Sequence, residues 1–98
     1  MAKYLILLKI HNERFPTDPK EYMKALSPML DLTKKDLKEG KLRDWGYFVG
    51  GNGGYAISEQ TPEEITTVAM RMSPYVDFEV HQVLGISDLE NMLKSMIP

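Results

Sequence analysis

Residues 45–59 read WGYFVGGNGGYAISE, and the rest of the chain is arranged around them. Five of the seven glycines fall between Gly46 and Gly54. Glycine enters positive φ without steric cost and asparagine tolerates it, so Gly50-Gly51-Asn52-Gly53-Gly54 is where the chain can reverse tightly. The flanks are aromatic and β-branched, which suits a pleated surface. The stretch is therefore read as a β-hairpin, with strands at 41–49 and 54–59 and a bulge possible at Gly46.

Upstream, Lys3 to Ile10 is nearly continuous in apolar residues, the pattern of a central strand. Alternation puts Tyr4, Ile6, Leu8 and Ile10 on one side. Lys3, Leu5, Leu7, Lys9 and His11 fall on the other. After a loop, Asp18-Pro19 reads as a helix start. Apolar residues recur at helical spacing from Tyr22 through Leu26, Met29, Leu30, Thr33 and Leu37, and Gly40 is the stop. Pro28 lies inside this run and predicts a kink there, or a fresh start capped by Ser27.

Downstream, Thr61-Pro62-Glu63-Glu64 is a capping box opening a second helix, with Ile65, Val68, Ala69 and Met72 as its stripe and Ser73-Pro74 as its end. Residues 76–84 alternate: Val76, Phe78 and Val80 against Asp77, Glu79 and His81. Gly85 turns the chain. Ser87 with Glu90 reads as a third capping box, ahead of a last helix lined by Leu89, Met92, Leu93 and Met96.

The order β-α-β-β-α-β, plus one helix, predicts an α+β ferredoxin-like sandwich over residues 1–98. Both crossing helices cover one face of a four-stranded antiparallel sheet, with the first and third strands central. The bare face then carries Leu5, Leu7, part of the set Trp45, Tyr47, Phe48, Tyr55 and Ile57, and Val83. Covering even ~400 Å² of it at ~25 cal/mol per Å² is worth about 10 kcal/mol before association costs. A second copy packed face to face is the simplest cover.

Composition narrows the function classes. The formal charge is −2, with 43% hydrophobic and 27% charged residues, and no basic stripe that would mark a nucleic-acid binder. With no cysteine, disulfides, thiolate catalysis and cysteine-ligated metals are excluded. No apolar run approaches the ~20 residues of a membrane span, and the N-terminus lacks a signal-peptide pattern, so a cytoplasmic location is the expectation.

The hairpin, the TPEE helix start and the segment SPYVDFEVHQVLGISDLE resemble the dimeric α+β-barrel superfamily, and within it small proteins of the muconolactone isomerase-like and YciI-like branches. The resemblance covers nearly the whole chain. It implies two sheets closing into a barrel across a two-fold axis, with any site in the sheet–helix cleft or inside the barrel. YciI-like enzymes pair a histidine with an aspartate.

The candidate chemistry lies on the bare face. His11, His81 and Glu79, with Asp77 and Lys9, share it by parity. An imidazole near a carboxylate is the composition of an acid–base pair, and the same set suits a metal. Polar interface residues are the alternative reading. Trp45, Tyr47 and Tyr55, with Lys9, are candidates for holding a planar ligand, or are core. The functional expectation is a homodimer, or higher homo-oligomer, that binds a small molecule. In its catalytic form it is an isomerase or monooxygenase-type enzyme without organic cofactor or resident metal. The competing expectation is a non-catalytic assembly module.

Overall fold

The computed structural model describes residues 2–97. The strands are β1 (Lys3–Ile10), β2 (Leu42–Tyr47), β3 (Gly53–Ser58) and β4 (Val76–Val83). The helices are α1 (Pro19–Lys38), α2 (Pro62–Met72) and α3 (Ile86–Ser95), with one 3-10 turn at Asn12–Arg14. The sheet order is β2-β3-β1-β4, and every pairing is antiparallel.

The hairpin forms where the glycines allow it. Gly50 and Gly51 take φ +106° and +83°, values that side chains with a Cβ rarely adopt. Phe48 N–H donates to Gly53 O at 2.7 Å, and Gly51 N–H to Phe48 O at 3.0 Å. β2 is shorter than the sequence reading because residues 48–52 belong to the turn, and β3 keeps its length but begins one residue earlier. The irregularity in β2 lies between Leu42 and Asp44, not at Gly46. Gly46 has another role. A Cβ there would stand 2.3 Å from the Tyr55 ring, which crosses β2 at that point. Its hydroxyl donates to Asp44 Oδ2 at 2.6 Å.

α1 runs unbroken through Pro28, so neither the kink nor the fresh start at Ser27 is realised as a break. Pro28 and Lys24, whose carbonyl loses its partner, are both exposed, so water can serve that carbonyl. The Ser27 hydroxyl donates to Met23 O at 2.8 Å instead of capping. Asp18 holds the N-cap position of α1, but its side chain makes no cap bond. At α2 the box closes as read: Glu64 N–H donates to Thr61 Oγ1 at 3.2 Å, and Thr61 N–H to Glu64 Oε1 at 3.1 Å. α3 starts one residue before Ser87. Gly85 is its cap, with Gly85 N–H donating to Asp88 Oδ2 at 3.0 Å, so the Ser87–Glu90 box is not formed.

α1 and α2 lie on one face of the sheet. Ile6, Ala56 and Ile65 are 3–4% exposed and form the centre of the core, with Tyr4, Leu8, Leu42, Trp45 and Phe78 packed around them. Phe15, in the loop after β1, is buried as well. Its ring tilts against Tyr22 and Tyr75 at centroid distances of 4.9 and 4.8 Å, pinning the loop to α1 and to the start of β4. The molecule measures 63 × 25 × 22 Å with a radius of gyration of 16.3 Å. A compact chain of this length has ~13 Å. The excess is α3, whose residues are all exposed and which runs on beyond the end of β4.

Candidate functional site

The helix-covered face is not filled. Between α1 and the sheet lies a cavity of about 350 Å³. Leu8 and Ile10 of β1 and Trp45 and Tyr47 of β2 form its floor, and Leu26, Met29 and Leu30 of α1 its roof. Tyr22, Thr33, Met72 and Val76 complete the wall. The α1 residues are those the helical spacing picks out, and Leu8, Ile10, Trp45, Tyr47 and Val76 belong to the same sheet face by register.

The lining is mostly apolar, with the Tyr22 and Tyr47 phenols, the Thr33 hydroxyl and the Trp45 indole among it. Trp45 and Tyr47 stack at 6.5 Å with 17° between their planes. Tyr47 OH donates to Gly51 O at 2.8 Å, and Tyr22 OH to Asn12 Oδ1 at 3.3 Å. Partial burial, with Tyr22 beside it, holds the Tyr47 phenol above its ordinary value, so it stays a neutral donor. The Thr33 hydroxyl is turned back onto Met29 O at 2.9 Å. A cavity of this size, walled by aromatic and aliphatic groups with two phenols at its edge, suits a small, flat, largely apolar molecule.

The other face of the sheet carries the titratable candidates. Cross-strand register sets Lys9 opposite Asp77, Leu7 opposite Glu79, and Leu5 opposite His81. Tyr55 and Ile57 of β3 lie beside Leu7 and Leu5. The histidines form two separate pairs. His11 Nε2 is 2.6 Å from Asp77 Oδ2, and His81 Nε2 is 2.6 Å from Glu79 Oε2. His81 stands opposite Leu5 while His11 follows the last residue of β1, which places them ~20 Å apart along the strand. So His81 and Glu79 come together, and His11 joins Asp77 instead. His11 is three-quarters buried, its Nδ1 lies 3.2 Å from Glu13 Oε1, and its backbone N–H donates to Tyr75 O at 2.8 Å. Glu13 and Asp77 hold opposite nitrogens of the ring and do not converge. Among the described residues no group of three His, Cys, Asp or Glu is arranged to hold a metal.

The ligand-holding candidates divide between the two faces. Trp45 and Tyr47 line the cavity, so they are the part of the aromatic set that faces the helices. Lys9 and Tyr55 stay on the uncovered face. There Lys9, Asp77 and Glu79 rim a shallow depression of about 190 Å³. Arg43 pairs with Glu59 at 2.8 Å at the far edge and takes no part. Strand order and the single covered face define an open-faced α+β sandwich of the ferredoxin-like class, extended by one helix. No protein-family model matches the sequence, and no curated protein matches it. Among the described residues no helix is long and apolar enough to cross a membrane.

Proposed function

We propose that the protein is a homodimer that binds a small, flat, apolar molecule in the cleft between α1 and the sheet. The 350 Å³ cavity carries this reading, since it is of ligand size and its lining is mostly apolar. Dimer formation has its own support. Leu5 and Leu7 of β1 lie beside Ile57 and Tyr55 of β3 on the uncovered face, a contiguous apolar patch that a second copy would cover. The finer assignment, to the dimeric α+β-barrel group and its muconolactone isomerase-like and YciI-like branches, is part of the proposal. It draws on the hairpin and strand motifs together with the strand order.

A second reading adds catalysis, favoured by the two histidine–carboxylate contacts at 2.6 Å. Each pair has the parts to accept and return a proton inside a space enclosed by two facing sheets. The sheet itself separates these pairs from the cleft, so binding in the cleft does not require them. Calorimetric titration with 1-naphthol tests the two readings. Saturable binding with a negative heat-capacity change, unaltered by His81→Ala or Glu79→Gln, supports the cleft. Binding lost in those variants while the fold and the dimer persist moves the site to the uncovered face. No binding to the native protein refutes the proposal.

A further inference from the structure

The structure leaves two apolar patches bare, one at each end of the strands. The first is α3. Ile86, Leu89, Leu93 and Met96 repeat at a spacing of three and four, so they form one stripe, and they are 39–72% exposed. Leu84 and Ile97 flank the helix and are also exposed. A ten-residue helix does not hold itself in water, because isolated helices shorter than ~12–15 residues are marginal. Something must pack on this stripe, and among the described residues no part of its own chain does.

The second patch is the hairpin tip, where Tyr47, Phe48 and Val49 are 47–106% exposed beside the cleft. The register places it at the opposite end of the sheet. The tip lies next to the end of β1 and the start of β4, as Ile10 N–H donates to Asn52 O and Ile10 faces Val76. α3 leaves from the end of β4, where Val83 faces Lys3. An eight-residue strand of ~27 Å separates the two, and α3 points away from the body. One chain therefore cannot cover its own hairpin tip with its own helix.

We infer that α3 is an exchanged arm whose docking partner is a second copy of this chain, its stripe closing over the hairpin tip at the mouth of the partner's cleft. A two-fold axis lying across the strands brings the α3 end of one copy to the hairpin end of the other, and the partner returns the contact. At roughly 50 Å² for each half-exposed side chain, two arms and the tips they meet bury roughly 900 Å². Contact between the two sheets adds to this and brings the total into the range of specific interfaces. The inference rests on the homodimer proposed above, not on the ligand. It makes the mouth of each cleft a composite of two chains.

The chain has no cysteine, so introduced ones report cleanly. Leu93→Cys and Phe48→Cys, both at exposed positions, are made in full-length chains carrying different tags, mixed and oxidised gently. Docking predicts a mixed disulfide forming on the order of 100-fold faster than either like-with-like disulfide, because the paired thiols meet at an effective concentration in the millimolar range. Leu89→Cys with Val49→Cys repeats the test should either first variant fold poorly. Equal rates for all pairings overturn the inference. So does a disulfide confined within one chain of the Leu93→Cys/Phe48→Cys double variant. 1-Naphthol binding without the mixed disulfide removes the arm and leaves the ligand site standing. The mixed disulfide without naphthol binding upholds the arm and removes the ligand site. A single-chain mass in solution removes the arm and the homodimer together.

Discussion

Leu7→Glu probes the uncovered face at its middle. Leu7 lies between Tyr55 on β3 and Glu79 on β4, half-buried within one chain. In a face-to-face dimer the rest of its surface is covered. Losing half the burial of a leucine costs about 1 kcal/mol, and symmetry counts it twice. Two carboxylates must also leave water beside the native Glu79 carboxylates, at several kcal/mol per ion if they stay charged. Taking a total of at least ~4 kcal/mol, the dissociation constant rises about 1,000-fold or more. Within one chain the same substitution sits at a half-exposed strand position and costs ~1 kcal/mol or less. Sedimentation velocity at micromolar concentration should show a dimer for the native chain and a monomer for the variant. A urea melt should show the variant still folding cooperatively, with a slope no larger than that of the native dimer. Equal masses for both proteins would refute the argument that this face is an interface.

Other outcomes follow from the packing. Phe15→Ala empties a site 5% exposed between Tyr22 and Tyr75 and should cost about 3–5 kcal/mol in chemical unfolding, with loosening of residues 11–17 in hydrogen exchange. Thr61→Ala removes the α2 cap and should cost about 1 kcal/mol near neutral pH. The Thr61 backbone N–H holds the Glu64 carboxyl below its ordinary value, so this part of the stability is present above the ordinary carboxylate range and lost as pH falls through the lowered value. Melts from pH 7 to pH 3 should show that loss in the native chain. Asp36 runs the other way. Burial, at 6% exposure, raises its carboxyl, so the ionised form burdens the fold as pH rises past its ordinary value. Asp36→Asn should raise the melting temperature at pH 7, with the gain vanishing near pH 3.

The strand order could be read from the chain because the glycines of the hairpin and the Thr61–Glu64 box are local signals, and the structure keeps both. The faces of β1 and β4 could be read by parity, since neither strand is interrupted. β2 could not. An extra residue between Leu42 and Asp44 shifts its alternation, and a shift of one residue exchanges the faces. That is why Trp45 and Tyr47 look inward, toward α1. The contact of His11 with Asp77 was legible only as a shared face, because pairing depends on how far β4 slides along β1. The cavity was not legible at all. Leu26, Met29 and Leu30 show the spacing of a core helix, and nothing in that spacing says how far the helix stands from the sheet. Leu89, Leu93 and Met96 of the α3 stripe were visible too, though Ile86 was not, and the stripe's lack of cover within the chain is a property of where Gly85 sends it.

The face that holds a ligand can be observed directly by following methyl resonances of the native protein as 1-naphthol is added. The cleft reading predicts shifts at Leu26, Met29 and Leu30, saturating at one molecule per chain, with Leu5, Leu7 and Ile57 unmoved. Shifts centred on Leu5, Leu7 and Ile57, or none at any methyl group, would contradict it.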